Sequence, residues 1–284
     1  MPRKQTKATP ARKQTLIFLH GFRGDHHGVR FVASHLAKDY DVLLPDLPPF
    51  GDAPALDAKH DIEAYTNWLF DYITATCTPQ NKPILVAHSM GAIVASHFAA
   101  RFPDLLADKL ILVSPITHTR ISRTFARTIY YTVRTITLPL PKKYAKKFCA
   151  SRPVTFAVYR YMISTRDKAV RKFIAEEHYS HSGRFDTAQA FFEAMNTSSR
   201  HDCIHPAHDI KGKSTCIIAG SKDQLAPTRA TKKLAYALSA DLHLVPDTGH
   251  LIVYEKPSET ADIIRSFLAP KKLAKKPVQK SRKK

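Results

Sequence analysis

Ser89 lies in the pentapeptide Ala87-His88-Ser89-Met90-Gly91, where an apolar run passes directly into a helix-period segment. A serine on so sharp a strand-to-helix turn lifts its Oγ above the carboxyl ends of the strands, where a nucleophile is useful. Strand and helix nearly touch there, so the residues two before and two after must be small. Gly91 meets that demand, and Ala87 adds one tolerable methyl. A hydroxyl attacks carbonyl carbon only if a base takes its proton, and the base needs a carboxylate to hold its tautomer. Asp223 follows the run Thr215–Ala219 in Gly220-Ser221-Lys222-Asp223, and His250 follows Leu242–Val245 in Pro246-Asp247-Thr248-Gly249-His250. The oxyanion formed by attack needs donors. The glycines of His20-Gly21-Phe22-Arg23-Gly24 free the Phe22 amide for this, and Met90 offers a second amide at a helix start. Gly21, His88 and Leu251 adjoin these groups and are the candidate substrate-binding residues. This chemistry calls for no cofactor and no metal.

The elements that must position these groups follow from periodicity. Leu16–Leu19, Asp41–Leu44, Pro83–Ala87, Lys109–Val113, Thr215–Ala219 and Leu242–Val245 read as short strands. Helix-period segments separate them near Val29–Lys38, Asp61–Thr76, Met90–Arg101, Thr228–Leu238 and Ser258–Leu268. That alternation predicts an α/β fold, a minimal six-stranded, mostly parallel sheet with helices on both faces. Ser89, Asp223 and His250 then all fall at strand carboxyl ends, where open α/β sheets build their sites. Residues 117–206 hold helix-like segments without a convincing strand, so they predict a helical cap inserted after the fourth strand. The expected organisation is a basic tail at 1–14, a core at 15–116 and 207–269, the cap at 117–206 and a second basic tail at 270–284. Both tails read as disordered.

Charge follows the same partition. The 284 residues carry 44 Lys+Arg against 24 Asp+Glu, a formal net charge of +20. Residues 1–14 hold five basic residues and 270–284 hold eight, all without an acid, while 117–172 hold fourteen against the single acid Asp167. These stretches sum to +26 and leave the remainder at −6. The chemistry is therefore expected on a mildly acidic body, and the charge speaks to partners: an anionic membrane surface, or nucleic acid held nonspecifically. On Arg120–Ile136, a helix puts Arg120, Arg123, Arg127 and Arg134 on one arc and Ile121, Phe125, Ile129, Val133 and Ile136 opposite. Such a helix either packs its apolar side on the body or meets anionic lipid, with Tyr130, Tyr131, Tyr144, Phe148, Tyr159 and Tyr161 nearby. Four scattered cysteines without a C-x-x-C pair indicate a reducing compartment. Neither a signal-peptide pattern nor a membrane span is legible, so the expected location is cytoplasmic, with possible peripheral membrane contact.

Other polar clusters compete less well. His201, Asp202, Cys203, His205, His208 and Asp209 lack zinc spacing and read as a polar loop. His26 and His27 read as solvated helix-start residues near the entrance, and Asp247 as a fallback carboxylate for His250.

In the residues quoted, and in the chain order Ser, Asp, His, the sequence resembles the α/β-hydrolase fold superfamily. The likeness is to its serine-hydrolase branch of small esterases, monoacylglycerol-lipase-like enzymes and lysophospholipases. It covers about Leu16–Ile116 and Asp209–Leu268 and implies Ser89 as nucleophile, Asp223 as acid, His250 as base and Phe22 and Met90 as oxyanion amides. The segment Pro45-Asp46-Leu47-Pro48-Pro49-Phe50-Gly51 matches the family's loop after its second core strand, where Asp46 would be structural. The resemblance implies cleavage of a small or lipid-like carboxylic ester through an acyl-enzyme. Thioester and C–C bond hydrolysis share the triad and stay open. So does a binding protein on this scaffold, acting through its basic segments. A substantial cavity between Ser89 and the cap would favour lipid-like substrates.

Overall fold

A computed structural model describes residues 13–117, 120–137 and 139–270. Its six strands are β1 (Thr15–Leu19), β2 (Asp41–Leu43), β3 (Ile84–His88), β4 (Lys109–Val113), β5 (Ser214–Gly220) and β6 (Asp241–Val245). They form one wholly parallel sheet in the order β2-β1-β3-β4-β5-β6, as expected. Order reverses between β1 and β3, so the carboxyl ends of these neighbours open a crevice where such sheets take ligands.

Both faces of the sheet are buried, which is why the strands read as continuous apolar runs. Along β1, Ile17 and Leu19 join a core with α2 (Ile62–Thr76) and α3 (Met90–Arg101). Leu16 and Phe18 point the other way, into a core with α1 (His26–Leu36) and α11 (Pro257–Leu268). At about 25 cal/mol per Å² of apolar surface removed from water, these two layers dominate the stability of the fold. Helix starts follow capping chemistry. The Asp25 carboxylate accepts the His27 amide, so α1 begins three residues before the apolar pattern suggested, and Asp61 accepts the Ala64 amide to start α2.

Among the described residues five α-helices run between β4 and β5: α4 (Arg120–Thr137), α5 (Lys142–Cys149), α6 (Arg152–Met162), α7 (Lys168–His181) and α8 (Ala188–Arg200). After β5 come α9 (Thr228–Leu238), β6, a single turn α10 (Ile252–Glu255) and α11. The expected tails fall almost wholly outside the described residues. At Lys13 and Gln14 the described chain is tied down rather than free. Lys13 donates to the Lys38 carbonyl (2.5 Å) and Gln14 to the Lys82 carbonyl (2.8 Å).

On α4 the described apolar side chains differ in exposure. Ile129 and Ile136 are 38% and 51% exposed, so those two apolar side chains do not pack on the body. Tyr130, one position on, makes the ring contact with Phe192 of α8. The side chains of residues 120–123, 125 and 126 lie outside the described set.

Candidate active site

At the carboxyl end of β3 the chain turns so abruptly that Ser89 adopts φ +54°, ψ −116°, a left-handed conformation costly for a residue with a side chain. Tight packing holds it there. The Ser89 amide donates to the Val113 carbonyl of β4 (3.1 Å), and its carbonyl accepts the Ala92 and Ile93 amides. The first turn of α3 lies directly on the end of β1, where a Cβ on Gly91 would meet the Leu19 and His20 carbonyl oxygens at 2.6 and 2.7 Å. These are backbone atoms and cannot rotate aside. Gly91→Ala should therefore cost about 2 kcal/mol and lower Tm by roughly 5 °C, measured by calorimetry beside wild type. The methyl of Ala87, fully buried in β3, is accommodated within the core.

The Ser89 Oγ lies 2.8 Å from His250 Nε2, and His250 Nδ1 lies 2.8 Å from Asp223 Oδ2. The three are almost wholly buried. Asp223 is fixed independently of the histidine, because its Oδ1 accepts the Leu225 and Ala226 amides at 2.9 and 2.8 Å. Burial pushes its carboxyl upward, but the His250 charge and hydrogen bond and those two amides outweigh burial and hold it below its usual range. Asp223 thus stays ionised, and a carboxylate accepting from Nδ1 leaves the Nε2 lone pair facing the serine.

Asp247 is exposed and paired with Lys222 at 2.5 Å, so it takes no part in this relay. The loop bearing His250 is held from below and from the insertion. The His250 amide donates to the Met162 carbonyl (2.8 Å), and the buried Glu255 accepts amides of Gly249, Ser164 and Thr165.

Among the described residues, the Phe22 and Met90 amides donate to no protein acceptor. Their loop is set by His20. Its Nε2 accepts the Leu47 amide at 2.8 Å, so the ring proton is on Nδ1 and donates to the Gly21 carbonyl at 2.9 Å. A Cβ on Gly21 would stand 3.0 Å from Ser89 Cβ, so glycine permits this approach.

A cavity of about 50 Å³ opens on Ser89 and His250, walled by the 20–25 loop, α6 and the start of α10. Gly21, His88 and Leu251 are among the residues that line it. The His88 Nε2 donates to the His250 carbonyl (3.1 Å), so that nitrogen holds the loop of His250 and is already engaged. Burial pulls the His88 imidazole down to about 3, and it is neutral at any working pH. The sequence reading assigned no role to His20, Arg23, His178 or Glu255. His20 and Arg23 stood inside a quoted motif, but His178 and Glu255 reach the site only through long-range packing.

Other clusters resolve differently. His26 Nδ1 binds Asp46 at 2.9 Å, and His27 Nδ1 binds Asp25 at 3.2 Å and stacks on His181. They are hydrogen-bonded struts at the start of α1 rather than solvated side chains. The sets Asp25, His27, His181 and His26, Asp46, Asp52 bring potential metal-ligating atoms within 4.8 Å. Their acids are already engaged, Asp25 and Asp52 by Arg184 and Asp46 by the His26 and Asp52 amides. In the His201–Asp209 stretch, Asp202 accepts the Ile204 and His205 amides as a turn. An open cleft of about 520 Å³ near His97 and Asp209 includes none of Ser89, Asp223 and His250.

Residues 14–257 match the family model described as the alpha/beta hydrolase fold. The chain belongs to the α/β-hydrolase family. This hydrolase is 28% identical over 261 residues to the uncharacterized hydrolase YugF of Bacillus subtilis, covering 90% of each chain. It is 23% identical over 274 residues to a monoacylglycerol lipase of Bos taurus, covering 93% of this chain and 77% of that one. Among solved structures it resembles an esterase of Exiguobacterium antarcticum, with TM-score 0.75, 14% identity and coverage of 90% and 92%. A thermophilic esterase of Thermogutta terrifontis gives TM-score 0.70 and 19% identity, covering 90% of both chains. These structural likenesses carry the fold alone.

Proposed function

We propose that this α/β-hydrolase is a serine carboxylesterase in which Ser89 is the nucleophile, His250 the general base and Asp223 its orienting carboxylate. The observation that carries this reading is the unbroken relay of two 2.8 Å contacts from Ser89 through His250 to Asp223. His250 Nε2 takes the hydroxyl proton as Ser89 Oγ bonds to the carbonyl carbon, and the carbonyl oxygen becomes an oxyanion facing the Phe22 and Met90 amides. The protonated imidazole then gives its proton to the departing alkoxide as the ester C–O bond breaks. Water, deprotonated by the same nitrogen, then bonds to the acyl carbon; the bond from that carbon to Ser89 Oγ breaks, the imidazolium returns its proton to Oγ, and the acid leaves.

The cavity argues for a small acyl group. At about 50 Å³ it is far below the roughly 300–1,000 Å³ of ordinary ligand pockets, so it does not favour the lipid-like arm of the expectation. Graded p-nitrophenyl esters test this. kcat/KM should peak at two to four acyl carbons and fall at least about tenfold by eight, since the extra methylenes find no cavity to enter. A maximum at long chains, or a preference for monoacylglycerol or lysophospholipid, would overturn the short-acyl assignment. Thioesters of the same short acids would be cleaved by the same relay.

A second property rests on a separate observation. We infer that the helical insertion, read as a cap over residues 117–206, touches anionic membrane surfaces. Exposed Ile129, Tyr131, Ile136, Leu140, Tyr144, Phe156 and Tyr161 are interleaved there with Lys142, Lys143, Lys147 and Arg134, which are also exposed. Apolar side chains among cations suit a headgroup layer better than a nucleic acid, which would reward cations alone. Among the described residues no helix is long and apolar enough to cross a membrane, so contact would be peripheral. Cosedimentation with phosphatidylglycerol vesicles should be strong at about 0.05 M salt and largely lost at about 0.5 M. Lys142, Lys143 and Lys147→Glu should weaken it. Equal binding to neutral phosphatidylcholine vesicles, or to neither vesicle, would refute it.

A further inference from the structure

Arg23 follows directly on Phe22, whose amide faces the developing oxyanion, and it lines the same cavity as Ser89 and His250. Its surroundings are unusual for a cation. Its Nη2 donates to Thr155 Oγ1 of α6 at 2.9 Å, and its Cζ sits 5.6 Å from the centroid of the Phe191 ring. Among the described residues the guanidinium makes no other hydrogen bond and no ion pair. The contrast with Arg184 nearby is direct, since that side chain is paired with both Asp25 and Asp52. A single guanidinium hydrogen-bonds a carboxylate through two N–H groups at once, and the pairing is strongest where water is excluded.

Among the described residues nothing else at the cavity neutralises this charge. Asp25, the one carboxylate in its wall, caps α1 and pairs with Arg184 and His27. Cys149 is the one group whose ionisation would favour the cation, but burial pushes its thiol up to about 11 and keeps it neutral. Burial brings the Arg23 guanidinium itself down to about 10, so it still carries its proton near neutrality. His178, also in the wall, donates its Nδ1 proton to the Ile174 carbonyl and is held neutral, pulled down by burial to about 4.

The backbone adds an independent sign. Arg23 adopts φ +63°, a left-handed conformation in which glycine would be cheaper. A side chain kept at such a position, charged and without a countercharge, has its cost offset only if something else uses it.

We infer that the substrate's acyl part carries a carboxylate and that Arg23 binds it, making this residue a specificity determinant of the proposed esterase. The acyl half is the one assigned, because it remains bonded to Ser89 after the alcohol has left and must occupy the cavity that Ser89 and Arg23 share. A half-ester of a short dicarboxylic acid has this form. The inference rests on the esterase reading for its reaction but not for its binding site.

The test compares monomethyl succinate with methyl butyrate, an uncharged ester of the same acyl length, in wild type, Arg23→Met and Arg23→Lys. Hydrolysis is followed by pH-stat, and binding by calorimetry on Ser89→Ala with and without Arg23→Met. Wild type should favour the anionic ester in kcat/KM at least about tenfold. Arg23→Met should cut that preference by about 10- to 100-fold, chiefly through KM, the loss typical of a hydrogen bond to a charged group. Arg23→Lys, which keeps the charge but loses the paired donors, should fall between. Ser89→Ala should bind monomethyl succinate, and the added Arg23→Met should weaken it at least about tenfold.

No preference in wild type, an equal fall for both esters in Arg23→Met, or unchanged binding in the double variant would each overturn the inference. An equal fall would mark Arg23 as a mere strut to Thr155. If neither ester is hydrolysed yet binding depends on Arg23, the anion site stands and the esterase reading fails. If only the neutral ester is hydrolysed, the esterase reading stands and this inference fails.

Discussion

Ser89→Ala is expected to lower ester turnover by about a millionfold and to abolish labelling by a fluorophosphonate probe, with the fold intact. The size of the loss follows from what the hydroxyl does. It supplies the electron pair that forms the acyl-enzyme, and no neighbouring group in the cavity can take its place. His20, His88 and His178, the other imidazoles in the wall, each donate to a backbone carbonyl and are held neutral by burial. Water attacking directly would retain only the Phe22 and Met90 amides and the binding of the ester, which together leave a small residual rate. Removing Oγ deletes one contact, the 2.8 Å approach of His250 Nε2, while the turn is still held through the Ser89 backbone and Gly91. Thermal unfolding should therefore match wild type within a few degrees. Undiminished probe labelling of this variant would remove Ser89 from the nucleophile's place, and a large fall in Tm would show that the hydroxyl is structural.

Much of this site was legible in the residues because its parts obey local rules. A serine between Ala87 and Gly91 at a strand end, and an aspartate and a histidine each following an apolar run, are short-range patterns. Parallel pairing then brings their strand ends together without further information. The sheet was readable for a related reason. Leu16 to Leu19 are buried on both faces, so the strand appears as an unbroken apolar run, and the helices between strands repeat at their own period. The start of α1 was misplaced because the signal lay in the Asp25 carboxylate, a capping group outside the apolar pattern.

What stayed hidden depends on contacts between residues far apart in sequence. Glu255 matters because its carboxylate gathers amides from Ser164, Thr165 and Gly249, and nothing in its neighbours announces that. His88 stood in the central motif, yet its bond to the His250 carbonyl spans 162 positions. The cavity was the least readable feature, because its volume is set by how α6 and the 250–254 turn close over Ser89. Helix-like segments could be foreseen in the insertion without revealing that they leave about 50 Å³. The charge partition fared similarly. It located the cations correctly on the insertion, but the one cation with a claim on the substrate is Arg23, a single residue in the acidic body.

Asp223→Asn is expected to reduce kcat about ten-thousandfold while leaving ester binding and stability nearly unchanged, because it reverses the proton on His250. The two oxygens of Asp223 have separate duties. Oδ1 accepts the Leu225 and Ala226 amides, and Oδ2 accepts from His250 Nδ1. Asparagine has one oxygen for both. If it keeps the two backbone amides, its NH₂ faces Nδ1, which must then become the lone-pair nitrogen. The proton moves to Nε2, pointing at Ser89 Oγ, and the imidazole can no longer accept the hydroxyl proton. If the amide group flips, the NH₂ confronts two buried N–H donors, each left without an acceptor at about 1–3 kcal/mol. The first arrangement should therefore win, giving a folded protein with the wrong tautomer. Steady-state kinetics on the best short ester should show kcat falling and KM holding within a few-fold, and calorimetry should show a Tm close to wild type. Rates near wild type would mean that Asp223 does not set the tautomer. A collapse in Tm with no folded protein to assay would assign the carboxylate to the Leu225–Ala226 turn instead, and Asp223→Glu would then fail to recover either property.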